Sequence, residues 1–362
     1  MKKFIGILGY KGSVGKCVLN YLKGKYPIKC GQRSKSLEKE KDIKYVELDI
    51  LNRNQLEDFC EECKVIINCA GPSYYLSQQI AEVTKEKNID YVDIFGVNVF
   101  KTLVSSENNT IVLGAGSLPG LSGMLPAWIN SKMDSDNIEK VNIYVGGNEE
   151  VTTAACVDYL LSIFNEFGKP NVYYYENKVY KRKKELIKLP EVFPYYAGCF
   201  EYLTEEMKES AALNKIRELH WYNVQVKKSY KDIMNKAFLE VLKNPDKDNI
   251  FKVAEKVREE ILKDGEDLNR WYKIWIEASK SNRKESYGFK CEYSSSINGK
   301  IAAMCAEKLY SSRSDFGIYW PFQVLKGEEV LENMISKGIL NVIQTNKNIA
   351  FEYELDYEEG EI

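Results

Sequence analysis

Three short runs carry residue types that could do chemistry. Gly9-Tyr10-Lys11-Gly12-Ser13-Val14-Gly15 spaces three glycines as G-x-x-G-x-x-G. In such a turn Gly9 allows a tight bend, Gly12 lets the backbone approach a pyrophosphate, and Gly15 lets a following helix pack closely on the strand before it. The unpaired N–H groups of that helix would then face the anion. Downstream, Gln32-Arg33-Ser34-Lys35 stands where a cofactor with a free ribose 2′-hydroxyl would want an acidic residue. Arg33 and Lys35 suit a 2′-phosphate instead, with Ser34 as a further donor. The pair of signals points to NADP(H) rather than NAD(H). The alternative for the second run is a solvated basic loop.

Other chemistry is bounded by what the chain contains. Its only histidine among 362 residues is His220. A histidine-rich zinc site is excluded, and no G-x-S-x-G elbow accompanies His220 for a Ser-His-Asp triad. His220-Trp221-Tyr222 reads more naturally as packed than as catalytic. Cys60 and Cys63 form a lone C-x-x-C without the second ligand pair that a metal site needs, and read as two helical cysteines about a turn apart. Tyr174 and Lys178, with Ser162 upstream, imitate the catalytic set of short-chain reductases. That set needs Tyr and Lys on one helix face, whereas Val172–Tyr180 reads as a hairpin turning at Glu176-Asn177. A proton donor must then come from Tyr, Lys, Cys, Asp, Glu or water.

The elements that would position these residues follow from hydrophobic periodicity. Phe4–Leu8 is a buried strand leading into the glycine loop, and Lys16–Tyr26 has helical spacing. Strands are expected at Ile28–Gly31, Tyr45–Asp49, Val65–Ala70, Tyr91–Ile94 and Thr110–Gly114, with helices at Asn54–Cys63 and Ser77–Glu86. Alternating strands and helices make a doubly wound parallel sheet, with ligands at the strand C-terminal ends. Three of those ends carry Gly or Pro turns: Gly9–Gly15, Gly71-Pro72 and Gly116–Gly120. They are expected to converge on one crevice, with Asp49, Cys69, Ala70, Gly71 and Pro72 beside the cofactor and a nicotinamide between Cys69–Tyr74 and Ser117–Gly120. Tyr74 is the best single candidate for proton donor or substrate-orienting group, the alternative being a packing role.

These pieces resemble the saccharopine dehydrogenase family. The resemblance rests on the glycine loop, Gly31-Gln32-Arg33-Ser34, Val65–Pro72, Asp90-Tyr91-Val92-Asp93 and Gly116-Ser117-Leu118-Pro119-Gly120-Leu121, and covers roughly the first 125 residues. It implies a Rossmann NADP-binding domain (1–125), a second α+β domain with a mixed sheet that supplies the substrate site and often dimer contacts (126–325), and a final segment (326–362) packing back on the first domain. It implies hydride transfer with NADP(H), commonly at a carbon–nitrogen bond, on a small-molecule substrate in a homodimer. Leu118, Pro119, Gly120, Val145, Gly146 and Gly147 fall at substrate-site positions. Two of them depart from the family pattern. Saccharopine reductase-like members carry an acid where Leu118 stands and a cysteine where Val145 stands. Both changes are to aliphatic side chains, so a more apolar or differently anchored substrate fits better.

The second domain is expected to run from helix Ala127–Met133 through strand Val141–Gly147 and helix Val151–Phe167 to the hairpin. A basic run at 181–188 reads as solvated. A helical insertion is expected over about 204–285, broken at Asn244-Pro245-Asp246. A strand at Phe289–Ile297, a turn at Asn298-Gly299, helices at Lys300–Ser311 and Glu328–Lys337, and a strand at Ile349–Leu355 complete the reading, followed by a frayed acidic tail.

Composition narrows the class. Lys+Arg is 51 against Asp+Glu 53, which argues against a nucleic-acid or acidic-lipid binder. No apolar stretch approaches the roughly 20 residues that cross a bilayer. Nine scattered cysteines and no secretory leader lead to the expectation of a reduced, cytoplasmic protein. The leading reading is an NADPH-dependent reductase of a C=N bond. An enoyl-type C=C reductase on the same fold and a non-catalytic NADP sensor or scaffold stay open.

Overall fold

The computed structural model describes residues 3–34, 40–103, 105–134, 137–182, 187–225, 230–263, 270–312 and 315–343. Its first half alternates as the periodicity requires: β1 (Phe4–Leu8), α1 (Ser13–Leu22), β2 (Ile28–Gln32), β3 (Ile43–Glu47), α2 (Arg53–Cys60), β4 (Cys63–Asn68), α3 (Ser73–Glu86), β5 (Asp90–Asp93), α4 (Val99–Thr102) and β6 (Thr110–Leu113). These strands form a parallel sheet in the order β6-β5-β4-β1-β2-β3. Alternate side chains serve two cores. Ile5, Ile7, Val65, Ile67, Val92 and Val112 face one layer, and Leu8, Ile66, Tyr91, Ile111 and Leu113 the other. Helices on both faces explain why the central positions of β1, β4, β5 and β6 are apolar on both sides of the sheet.

The chain then runs through α5 (Leu121–Lys132), β7 (Lys140–Asn148), α6 (Thr153–Phe164), β8 (Gly168–Pro170), β9 (Val172–Tyr175), β10 (Lys178–Lys181), β11 (Gly198–Thr204), α7 (Glu205–Leu213), β12 (Glu218–Gln225), α8 (Tyr230–Lys243), α9 (Lys247–Lys263), β13 (Trp271–Lys280) and β14 (Arg283–Cys291). After them come α10 (Ser294–Ser311), β15 (Gly317–Tyr319), α11 (Pro321–Val324), α12 (Gly327–Ser336) and β16 (Asn341–Ile343). The second sheet is mixed, in the order β10-β9-β12-β7-β13-β14-β16, with β11 also on β12. Among the described residues only β12 and β7 run parallel within it. The architecture is α/β, a Rossmann-type parallel sheet joined to an α+β unit. Among the described residues no helix is long and apolar enough to cross a membrane.

Several expectations need correction. The stretch 204–285 is not a helical insertion, because it supplies β12, at the middle of the second sheet, and β13. β12 is buried on both faces, with Leu219 and Trp221 in the main core and Tyr222 and Val224 in a second cluster, so no polar alternation marks it. Its helices α8 and α9 do form a cap on α6, around Val157, Val241 and Val257. Asn298-Gly299 is not a turn but lies inside α10. Gly299 is needed where α10 crosses α1, since a Cβ there would come 2.4 Å from Cys17 Cβ. The predicted strand over Phe289–Ile297 ends at Cys291, and Ile297 is helical.

The segment returning to the first domain begins earlier than 326. α10 packs on α1 and β4, and β15 adds to the parallel sheet beside β6. Beyond 326, α12 packs on α5 and β16 joins the second sheet. Gly338 ends α12 with φ +67°. The strand predicted at Ile349–Leu355 and the acidic tail lie outside the described residues. The hairpin β9–β10 turns at Glu176 and Asn177, both with positive φ, as its sequence predicted.

Candidate active site

The glycine loop has the shape a dinucleotide needs. Gly9 has φ +78°, and a Cβ on it would lie 2.7 Å from Ala70 N. A Cβ on Gly15 would meet Gly9 O at 2.3 Å, whereas at Gly12 the nearest atom is Gly9 O at 3.4 Å. Gly9 and Gly15 therefore close the turn and Gly12 opens it to a ligand. Gly12 caps α1 without a side-chain hydrogen bond, and no acid stands in the first turn. The first-turn amides near Ser13 and Val14 are left for an anion. At the end of β2, Gln32 Oε1 is buried without a hydrogen-bond partner among the described residues. A ribose hydroxyl would satisfy it. Arg33 and Ser34 are exposed next to it. Lys35 lies outside the described residues. Tyr10 is buried against Tyr45, ring centroids 5.3 Å apart. Asp49 serves the turn after β3, accepting from Leu51 N. These cradle and donor groups fit a pyrophosphate-linked dinucleotide.

The ends of β4 and β5 are tied together by a buried network. Asn68 Nδ2 donates to Asp93 Oδ2 at 3.0 Å, Asn68 Oδ1 accepts from Ala70 N, and Asp93 Oδ1 accepts from Phe95 N. The Tyr91 hydroxyl also bonds Asp93. Burial raises the Asp93 carboxyl, against the pull of those bonds. Cys69, its thiol pushed up by burial, and Ala70 thus sit on a rigid ledge.

Beyond the ledge, Gly71 and Pro72 lead into α3 under the second domain. A Cβ on Gly71 would come 3.3 Å from Ala154 Cβ and 3.6 Å from Asp158 Oδ2, both on α6. Asp158 accepts from Ser73 N at 2.9 Å and Tyr74 N at 3.1 Å, so a carboxylate from one domain caps a helix of the other. Burial pushes that carboxyl up to about 6, its amide donors pulling the other way. Tyr74 packs at a tilt against Phe95, ring centroids 5.6 Å apart. Its hydroxyl is buried without a partner among the described residues and raised by burial, with Asp158 adding to the shift.

The third turn is held from three directions. Gly120 has φ +122°, and a Cβ there would meet Gly116 O at 2.2 Å. Ser117 N donates to Asn298 Oδ1 at 2.7 Å, and Ser117 Oγ lies 2.8 Å from the Tyr272 hydroxyl. Glu206 of α7 accepts from Gly120 N at 2.7 Å and Ser122 Oγ at 2.6 Å. Leu118 is half-buried against the main core, while Pro119 is buried. Within β7, Val145 is a core residue. Gly146 and Gly147 are required by neighbouring strands, since a Cβ would come 2.3 Å from Val224 O and 2.6 Å from Trp271 O respectively. Just past β7, Glu149 accepts from Ser294 N at the start of α10.

The remaining candidates lie apart from the crevice. His220 is buried on β12 between two carboxylates, Nδ1 on Glu201 and Nε2 2.6 Å from Glu218, with its ring stacked 4.6 Å from Tyr173. Tyr174 bonds Asn177 in its hairpin, and Ser162 bonds Tyr159 O within α6, so no short-chain-reductase set forms. Cys60 ends α2 and Cys63 begins β4, and burial pushes the Cys63 thiol up to about 12. They are not two residues of one helix. Sequence reasoning missed Asp158, Glu206, Tyr272 and Asn298. Asp158 and Glu206 sit in ordinary amphipathic helices with nothing to distinguish them, and Asn298 was hidden in a false turn. Asp93 carried a usable signal, an acid at the C-terminal end of a buried strand.

Comparison with known proteins agrees with this geometry. Residues 5–117 match the family model "Saccharopine dehydrogenase NADP binding domain", so this domain binds NADP(H). Among solved structures the chain is similar to saccharopine dehydrogenase (L-Glu forming) from Saccharomyces cerevisiae, at 10% identity and TM-score 0.61, covering 94% of this chain and 99% of that one. That likeness shows the fold alone. Uronate dehydrogenase from Agrobacterium tumefaciens matches at 13% identity and TM-score 0.24, covering 25% of this chain and 40% of that one. Glucuronic acid dehydrogenase from Chromohalobacter salexigens matches at 16% and 0.23, covering 25% and 40%. A search of curated proteins gives no match.

Proposed function

We propose that this chain, whose residues 5–117 match the saccharopine dehydrogenase NADP-binding model, is an oxidoreductase of that family that reduces the C=N bond of a small molecule. The observation that carries the reading is the meeting of the Gly71-Pro72 turn with Asp158 of α6 and with Tyr74, an acid and a phenol beside the strand ends where a nicotinamide is expected. NADPH held by the glycine loop supplies the hydride when bound. The protein's work is to orient the substrate, exclude water and deliver one proton to nitrogen while carbon takes the hydride.

Asp158, half-protonated near pH 6, is the acid best matched to that delivery. Tyr74, raised away from ionisation, donates a hydrogen bond that orients the substrate. The Asn68–Asp93 network and the Glu206 grip keep both turns in place under the second domain. Leu118, half-buried where an acid stands in saccharopine reductase-like members, favours a substrate with an apolar flank, whereas Val145 is taken up by the core. The same aliphatic Leu118 favours the second reading, reduction of an activated C=C bond.

NADPH oxidation at 340 nm separates the two. Turnover with cyclic imines or thiazolines and none with enoyl thioesters is expected. The reverse preference would replace the C=N reading with the C=C one.

A further inference from the structure

Three aromatic rings at the domain junction serve no core. Tyr74 at the start of α3, Phe95 just past β5 and Phe167 just past α6 are half-buried, and none belongs to a hydrophobic cluster of the described residues. They touch one another across the two domains. The Phe95 centroid lies 5.6 Å from that of Tyr74 and 5.1 Å from that of Phe167, with interplanar angles of 55° and 62°. Phe167 continues the row to Tyr202 of β11, at 6.4 Å and 49°, and there the row meets the main core. Local structure places each ring. Phe95 N donates to the Asp93 carboxyl at the end of β5. Phe167 is set by the close of α6, where Glu166 has φ +52° and Phe167 N donates to Ser162 O. The same helix brings Asp158 to Ser73 and Tyr74. Ile94 O, one residue before Phe95, lies against Gly116 of the third turn, where a Cβ would come 3.1 Å from it. The row therefore begins between the second and third turns of the crevice.

We propose that this row is the specificity wall of the crevice and takes a planar aromatic substituent of the substrate. The inference rests on the imine-reducing reading above and narrows it to aryl-substituted imines. Rings that meet tilted or edge-on cover one another only in part, and the area they leave favours a further ring. Half-buried aromatic side chains around a few polar groups are the usual lining of a small-molecule site. With the C=N bond beside Asp158 and Tyr74, a ring on the imine carbon lies along Phe95 and Phe167. A short aliphatic substituent leaves both uncovered.

The test reads binding and turnover separately. 2-Phenyl-1-pyrroline and 2-methyl-1-pyrroline differ only in the substituent, as do their reduced forms, 2-phenylpyrrolidine and 2-methylpyrrolidine. Calorimetry of the two amines with the protein and NADP+ probes the wall, and NADPH oxidation with the two imines probes the reaction. The phenyl amine is expected to bind roughly tenfold more tightly, as burial of one ring against two others implies. Phe167→Ala should shrink that ratio to about threefold or less, and Phe167→Leu, which keeps apolar area without a ring, should fall between. Thermal melting without ligand shows whether each variant is folded, and the wild-type ratio needs no variant. Equal binding of the two amines by wild type, or binding of neither, would overturn the wall, as would an unchanged ratio in folded Phe167→Ala. Oxidation of NADPH by neither imine, with the amine preference intact, would instead remove the imine reading and leave the wall standing.

Discussion

Glu206 lies fully buried beneath the Gly116–Gly120 turn, and its replacement by glutamine gives a quantitative test of how that turn is held. Burial lifts its carboxyl from the ordinary 4.5 to about 7, against the pull of its bonds to Ser122, Gly120 and Gly123. A folded-state value above the unfolded one means the native protein binds this proton more tightly. The stabilising contribution is complete below about pH 4.5. It declines as the unfolded chain ionises first, and levels off above pH 7. At 1.36 kcal/mol per pH unit the decline is about 3 kcal/mol. Glutamine preserves the contacts: its Oε1 still accepts from Gly120 N, and its Nε2 donates to Ser122 Oγ, whose hydroxyl reverses. Glu206→Gln should therefore abolish that part of the pH dependence. Melting temperatures of wild type and variant at pH 5 and pH 8 give the comparison. Relative to wild type, the variant should gain a few degrees on going from pH 5 to pH 8. An identical offset at both values would refute the argument, because it would mean that Glu206 keeps an ordinary carboxylate in the fold.

Gly15→Ala places a Cβ 2.3 Å from Gly9 O; the loop must shift, at a cost of about 1–3 kcal/mol, and NADPH affinity measured by fluorescence should fall at least tenfold. Arg33→Ala should lower the NADPH-over-NADH preference about tenfold by removing one charge-assisted contact; unchanged selectivity would detach Arg33 from the 2′-phosphate. Asp158→Asn should cut kcat/KM by about two orders of magnitude and erase a decline in rate above pH 6; survival of that limb in the variant would transfer the proton to another group. Tyr74→Phe should raise KM more than it lowers kcat, and an equal loss of both kcat and kcat/KM would instead make Tyr74 a transition-state contact.

Much of the first domain was legible because its signals are local. A buried strand, a glycine turn and an amphipathic helix each announce themselves within about ten residues, and β1 matches its predicted range end to end. The second domain hid where burial removes the pattern. β12 lies between β7 and β9, with His220 and Tyr222 on one face and Leu219 and Trp221 on the other, all buried. Neither a period of two nor a polar face distinguishes it from the helices around it. Gly299 misled for a related reason, since a glycine needed for a close helix crossing looks like a turn when its contact, Cys17, lies far back in the chain. The crevice acids were illegible in the same sense. Asp158 and Glu206 act on amides 84 to 86 residues distant, and nothing within their own helices signals those partners.

The parallel sheet is completed by β15 beside β6, with α10 roofing α1 and β4. A truncation that ends near residue 125 would strip β6 of its neighbour and uncover the apolar surface that Ile297, Ile301, Ala302 and Cys305 now seal. Gene fragments cut at that apparent boundary would yield an aggregating product, and chimeras built by exchanging nucleotide domains must carry both the opening stretch and the 294–319 return as one unit.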